Sequence, residues 1–325
     1  MKNRRQFTTT LGLISAAGLL PSLARAQSAD TVRILVGFPA GGGSDNIARR
    51  LAERLQGVLA PTVIVENKAG AGGQIAVSAL KNSAADGNTL LLSVPGPLTV
   101  AQFTFKSLPY KPDDYVPVAM VSTFAFVLAV GPAVPENVRN LKDYLAWAGS
   151  NKANAVFGSP AAGATPHLVG MLLSKASGVE LTHVPYRGDA PGIQDLLGGQ
   201  VPAYLSTTGS FSPHMKSGRL RLLAVSGASR NPIAPDVPTF REQGFPIDLI
   251  EWTGIFAPKG TPPAVVQRAG SAVTAVVSQP DFAKFLADLG MTPKTMTPQA
   301  FADLIRTETE QWRSDIKRIG FTAES

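Results

Sequence analysis

Cysteine is absent from the 325 residues. That excludes disulfides, a thiol nucleophile, thiolate-bound zinc or iron–sulfur clusters, and a lipid attached through an N-terminal cysteine. Charge is sparse, at 16% of residues against 44% hydrophobic, so the fold must stand on packing and has the side chains to do so. The 31 glycines and 26 prolines are scattered rather than gathered in one tract, which excludes disorder and favours a compact α/β protein of two domains or one large one. The formal charge is +7, yet there is no Lys/Arg run and no basic–aromatic interleaving, so nucleic acid is not an expected partner. Only three histidines occur, His167, His183 and His214, and none has a second histidine or a carboxylate at metal-ligand spacing. No metal and no cofactor are expected.

Four of the 30 basic residues, Lys2, Arg4, Arg5 and Arg25, lie in the first 26, which contain no acid. Met1–Arg5 is charged, Leu11–Leu20 is an apolar run of ten, and Ala24-Arg25-Ala26 offers small residues where a signal peptidase reads. Residues 1–26 are therefore read as a cleaved signal peptide; the run falls short of the ~20 residues of a membrane span. Asn3-Arg4-Arg5-Gln6-Phe7 also resembles a twin-arginine signal, which leaves the export route, Sec or twin-arginine, open. Either route ends in the periplasm.

Short β-branched runs at Thr31–Val36, Thr62–Val65, Thr89–Ser93, Val116–Val121, Phe126–Val130, Ala155–Gly158, Leu181–Val184, Val201–Leu205 and Arg219–Val225 alternate with segments of helical spacing, the pattern of βαβ units. One helix opens at Ser44 with Ile47, Leu51, Leu55 and Val58 on one stripe. Gly73–Lys81, Leu141–Ala148, Pro166–Ala176, Ala190–Leu197 and Ser210–Lys216 follow. Ala264–Val277, Asp281–Leu289 and Pro298–Ile319 then read as three consecutive helices, the last with Thr297-Pro298 as N-cap and first-turn proline. Residues 27–126 and 251–325 are expected to form one domain, closed by this helical brace, and 127–250 the other. Two crossings between them would make a hinge.

Four strand-to-helix turns could carry chemistry. Phe38-Pro39-Ala40-Gly41-Gly42-Gly43-Ser44-Asp45 lets backbone approach a ligand and offers the amides and positive dipole end of a helix to an anion. Its rival reading is a tight turn with Ser44 as an ordinary N-cap. No Gly-Lys-Ser/Thr follows, so it is not a phosphate loop. Asp45 would repel an anion there and is given a loop-ordering role. Asn67–Gln74 repeats the arrangement through Gly72, Gly73 and Gln74, and two such helix starts could face one small anion. Gly158–His167 carries Ser159, Thr165 as N-cap, and His167. Val184–Asp189 presents Tyr186 and Arg187, able to cover a ligand or contact a carboxylate, or simply a packing ring and a solvated charge. Ser159 lacks the Gly-x-Ser-x-Gly elbow and no Ser/His/Asp set declares itself, so no catalytic residue is assigned.

The stretches GFPAGGGSDNIAR (Gly37–Arg49), VIVENKAGAGGQIA (Val63–Ala76), Asp86–Leu92, Gly158–His167, VPYRGDAPGIQDLLGG (Val184–Gly199), SGRLRLLAV (Ser217–Val225), Pro235–Pro246 and Trp252–Pro262, taken in order, resemble the periplasmic substrate-binding proteins of tripartite tricarboxylate transporters, the Bug-type receptors. The resemblance implies a two-lobed periplasmic binding protein of type II-like α/β architecture with a double-crossover hinge and no enzymatic activity. It further implies a small organic carboxylate as ligand and the membrane permease subunits of the transporter as partners; a monomer is expected. Contact roles fall on Phe38, Ala40 and Ser44 in one lobe and on Ser159, Thr165 and Tyr186 in the other. The backbone of Gly41–Gly43 and the residues Asp45, Gly72, Gly73, Gln74, His167, Arg187 and Thr207 complete the candidate set. Within Val201–Thr208 the family commonly carries acids where this chain has Ala and Ser/Thr, which favours a ligand without an amine. The alternatives are a secreted α/β hydrolase with a general base such as His167, and a receptor reporting to a sensor kinase.

Overall fold

The computed structural model describes residues 31–321; the signal-peptide assignment lies outside them. In chain order the elements of the first half are β1 (Thr31–Val36), α1 (Gly43–Leu55), β2 (Thr62–Asn67), α2 (Gln74–Lys81), β3 (Thr89–Ser93), α3 (Ala101–Thr104) and β4 (Tyr115–Val130). The second half holds α4 (Leu141–Gly149), β5 (Val156–Ser159), α5 (Thr165–Ser177), β6 (Thr182–Pro185), α6 (Asp189–Leu197), β7 (Ala203–Thr207), α7 (Thr208–Phe211) and β8 (Arg221–Val225). The chain then returns through β9 (Ile250–Pro258), α8 (Pro263–Val277), α9 (Pro280–Asp288), β10 (Met291–Pro293) and α10 (Pro298–Ile319).

Strand β4 organises the whole sheet, whose order is β2-β1-β3-β9-β4-β7-β5-β6. Its first part, to Ala125, pairs antiparallel with β9; from Phe126 onward it pairs antiparallel with β7 and β8. In the second half its side chains alternate: Phe126, Leu128 and Val130 enter the core under α4 and α5, and Val127 and Ala129 the core under α6. In the first half, irregular register at Pro117/Ala119 and Met120/Ser122 breaks that alternation. There Val118 and Val121 pack toward α1 and α8, while Tyr115 and Met120 pack toward α2 and α10.

The expected strands Val116–Val121 and Phe126–Val130 are thus one continuous strand. Strand β9 was not among those expected; it is buried on both faces except at Ile250, so it shows no alternation to read. The segment Ser210–Lys216 divides into α7 and a 3₁₀ turn at Ser212–Ser217. Val58 lies beyond the end of α1 and is 66% exposed rather than on its apolar stripe. Helix α10 has the expected bounds, with the Thr297 hydroxyl accepting from the Ala300 N–H.

The chain leaves the second half beside the point where it entered. Ser226, fully buried, accepts the Phe126 N–H on its Oγ at 2.8 Å and donates its own N–H to the Phe126 carbonyl at 2.8 Å. Both strand crossings are tied at that residue. Ser226→Ala leaves a buried N–H without a partner, and we expect a loss of about 1–3 kcal/mol in urea denaturation, with secondary structure by circular dichroism unchanged.

Candidate functional site

Strand directions dictate where the turns go. Strands β1, β2 and β3 are parallel to one another, β9 is antiparallel to β3, and β4 is antiparallel to β9, so β4 runs with β1–β3. Because β4 continues into the second half, the carboxyl ends of β1–β3 point at that half. Strand β7 opposes β4 and is parallel to β5, which is parallel to β6, so the carboxyl ends of β5–β7 point back. All four strand-to-helix turns therefore face one junction, as the carboxyl ends of strands do where open α/β sheets bind ligands.

In the first half the two turns touch: a side chain at Gly37 would collide with the Gly73 backbone, and the Phe38 ring lies over Gly73. Residues Gly70, Ala71, Gly72 and Gly73 all have positive φ, and Ala71 is the one non-glycine described residue that does. Such strain persists where surrounding structure holds it, often at sites. Asp45 is buried yet ionised: burial works against its charge, but Arg49 (2.9 Å), the Gly41 N–H (2.8 Å) and Asn67 (2.9 Å) together hold its carboxyl below the ordinary range. Asn67 also donates to the Phe38 carbonyl at 3.0 Å. Ala40–Gly43 stay exposed above this clamp, which orders the turn without filling it.

In the second half the Tyr186 N–H donates to the Ser159 carbonyl and the Gly188 N–H to the Pro160 carbonyl, which sets those two turns side by side. Tyr186 commits its hydroxyl to Asp195 at 2.9 Å, and burial aided by that carboxylate pushes it up to about 12. Arg187 is exposed and makes no ion pair among the described residues. Asp189 is held by the hydroxyls of Ser206 (2.6 Å) and Ser210 (2.7 Å), so the Ser/Thr stretch singled out in the sequence serves this carboxylate. Thr207 caps α7 through Ser210.

Two capping assignments are corrected. Helix α1 starts at Gly43 with Gly42 as N-cap, so Ser44 is its second residue and Asp45 its third, not its first. Helix α5 starts at Thr165 with Ala164 as N-cap. No side-chain oxygen caps α1, α2, α5 or α6, the four helices of eight or more residues that start at the junction, whereas Asn140 and Thr297 cap α4 and α10. Amide hydrogens at the junction are left available to an incoming acceptor. Gln74, buried at the start of α2, has an Nε2 without a hydrogen-bond partner.

A contact the sequence did not reveal joins Ser159 Oγ to His183 Nε2 at 2.7 Å. The residues are 24 apart and are brought together by the β5–β6 register, Phe157 opposite His183 and Ser159 opposite Pro185. Ser159 Oγ also reaches the Ala161 carbonyl at 3.3 Å, so the hydroxyl has two neighbours, the imidazole nitrogen and that carbonyl. His183 stacks on His167 with ring centroids 3.7 Å apart, and His167 Nδ1 accepts the Gly163 N–H. Burial lowers His167 to about 4 and His183 to about 3, so both are neutral. Among the described residues no carboxylate is hydrogen-bonded to either ring.

Two concavities lie away from these turns, one of about 200 Å³ bounded by Met215, Leu222, Ile233 and Val237, and one of about 130 Å³ between Leu172, Lys175, Pro246 and Arg318. Each is walled mainly by aliphatic groups. Of the junction turns, Ala40–Gly43 and Arg187 are exposed, whereas Gln74, Ser159 and Thr165 are buried.

The sequence profile of the family described as "Tripartite tricarboxylate transporter family receptor" matches residues 47–321. The solved structure of the periplasmic binding protein BugD is 32% identical, covers 90% of this chain and 99% of its own, and superposes with a TM-score of 0.81. A Rhodopseudomonas palustris protein solved with adipate is 29% identical, with coverages of 90% and 98% and a TM-score of 0.84. MatC from the same organism, solved with bound malate, is 30% identical, with coverages of 88% and 98% and a TM-score of 0.79.

The buried imidazoles make stability sensitive to acid. Their folded values lie below the ordinary histidine range, so the contribution is full above about pH 6.5 and is lost as the pH falls toward 4. Glu251 and Glu308, lifted by burial, act in the opposite direction over this range, so the histidine contribution is read by difference: between pH 7 and 4.5 the wild type is expected to lose about 2 kcal/mol or more in chemical denaturation relative to a variant without the two imidazoles. The His167→Gln/His183→Gln double variant should show a clearly shallower slope.

Proposed function

The chain belongs to the tripartite tricarboxylate transporter receptor family, and from that premise we propose that it is a periplasmic receptor that captures a small organic dicarboxylate between two lobes and delivers it to a membrane permease. The observation that carries this reading is that four uncapped helix starts follow strand ends that face one junction, where Arg187 is the one basic side chain of the four turns without an ion pair among the described residues. Lys68 is paired with Glu66 at 2.6 Å, and Arg49 with Asp45 at 2.9 Å. Amides and hydroxyls are left to meet the ligand, as a carboxylate accepts from several donors at once. The relatives bound to adipate and malate support the ligand class.

On this reading residues 31–125 with 251–321 form one lobe and 126–250 the other, and they move about Ala125–Phe126. A ligand held by both lobes favours the closed arrangement by the difference between its affinities for closed and open forms. One helix-terminus contact contributes about 0.3–2 kcal/mol, so several must act together to reach micromolar affinity near ~8 kcal/mol. Phe38, Ala40 to Ser44, Gly72 to Gln74, Ser159, Thr165 and the Tyr186–Arg187 turn are the contacts we assign, with Asp45, His167 and Thr207 ordering them. No helix among the described residues is long and apolar enough to cross a membrane.

The Ser159–His183 contact is the one feature that favours an esterase instead. Against it stands the missing third member of a triad: among the described residues no carboxylate is hydrogen-bonded to His183 or to His167 stacked on it.

Titration calorimetry with malate and adipate tests the assignment. Ser44→Ala and Thr165→Ala should each raise the Kd of the bound acid about 3- to 10-fold, with circular dichroism unchanged. Unchanged affinity in both variants would move the ligand elsewhere, and ester turnover lost in Ser159→Ala would replace the receptor by an enzyme.

A further inference from the structure

One pair of acids, Glu251 buried and Glu308 half-buried, is used by none of the above. Glu251 opens the return strand β9 opposite Phe124 of β4, one register step from the point where β4 changes partners. It is 5% exposed, and its Oε1 has no hydrogen-bond partner. Glu308 of α10 faces it from the brace and accepts the Trp252 Nε1–H at 2.6 Å. From the second half, the hydroxyl of Thr165 at the start of α5 lies against the Glu251 carboxyl. The seam around them is apolar: Val100, Leu168, Trp312 and Ile316 pack where α10, α5 and the turn before α3 meet.

No lysine, arginine or histidine acts on either carboxyl. From α10 the group facing Glu251 is Glu308, from α5 it is Thr165, from β4 the uncharged Phe124, and on β9 the indole N–H of Trp252 serves Glu308. His167, half a turn along α5 from Thr165, is neutral. A carboxyl as enclosed as that of Glu251, with no cation beside it, holds a proton rather than charge.

We propose that Glu251 is a protonated latch between the two halves: its neutral carboxyl positions Thr165 and the start of α5 against β9 and α10, and ionisation loosens that seam. Burial lifts Glu251 to about 8, with the Glu308 charge adding to the effect, and lifts Glu308 to about 7. The folded chain therefore binds these protons more tightly than the unfolded chain. The stability they contribute is full below about pH 4.5 and is lost as the pH rises through about 8. The affinity arm of the proposal rests on the reading that the Thr165 turn contacts the ligand; the stability arm does not.

The experiment is thermal unfolding of the ligand-free protein from pH 6.5 to 9, with calorimetry of malate and adipate over the same range, in which their carboxyls stay ionised. Burial holds His167 and His183 below that window and lifts Tyr186 to about 12, above it. The wild-type midpoint is expected to fall by roughly 5 °C or more between the two limits. In Glu251→Gln, which mimics the protonated acid, the fall should be at most half as large. Glu308→Gln, which removes the neighbouring charge, should reduce it as well and serves if the first variant does not fold. The bound acid should weaken about 3- to 10-fold in the wild type across the range, and less in Glu251→Gln. Parallel unfolding profiles in wild type and variants would overturn the latch. Failure of both acids to bind at any pH would count against the ligand assignment alone, since the unfolding profiles decide the latch independently.

Discussion

Strand β4 threads both halves, and the molecule's other features follow from its direction. A strand that stays continuous across a junction forces the parallel strands on one side to run with it and those on the other, joined through antiparallel β7, to run against it. Carboxyl ends then face each other, and with them every strand-to-helix turn. On the proposed reading, a ligand site at the junction is a consequence of topology before any side chain is chosen. The Ser226 clasp on Phe126 adds the second constraint, holding the returning chain beside the outgoing one, so the connection bends at one place.

What the side chains then decide is how an anion could be met without a fixed positive charge. Helix starts at α4 and α10 are closed by Asn140 and Thr297, while those at the junction are glycine or alanine at the N-cap. Glycine tolerates the left-handed backbone of these turns and brings no competing acceptor. The two carboxylates that do sit at the turns are saturated: Asp45 by Arg49, Asn67 and the Gly41 amide, and Asp189 by Ser206 and Ser210. Each spends its acceptor capacity on ordering a turn.

Much of this was legible in the sequence, and the failures have physical causes. Helix α10 could be read to the residue because Thr297-Pro298 and Gly320 punctuate it. Strand β9 could not, because burial on both faces erases alternation. Ser122-Thr123 looked like a break in β4 because polar residues there lie on a sheet covered on both sides. Glycine-rich turns and the helices after them were recoverable from local chemistry, as were the family-matching stretches. Partners set by the packing of distant elements were not: Ser159 with His183, Asp189 with Ser206, and Glu251 with Thr165 lie 24, 17 and 86 residues apart. Thr165 illustrates the limit, since Thr-Pro is a common N-cap pair, yet here Ala164 turns the chain and Thr165 is left with a hydroxyl to use elsewhere.

The groups that would carry charge in water but not here form a consistent set. Glu251, Glu308, His167 and His183 all border the contact between the halves, and burial shifts each toward its neutral form. An ion fixed at that contact would bind an anion, or repel one, whichever way the halves were arranged. Neutral groups leave the local field to amide dipoles, whose effect falls off within a turn of the helix and so depends on distance. On the proposed reading that dependence makes a ligand sensitive to closure: dipoles on one lobe alone hold it weakly, and both sets act only when the lobes approach. Replacing one of these neutral residues by a lysine would strengthen capture by a single lobe, at the expense of the difference between open and closed forms on which release depends.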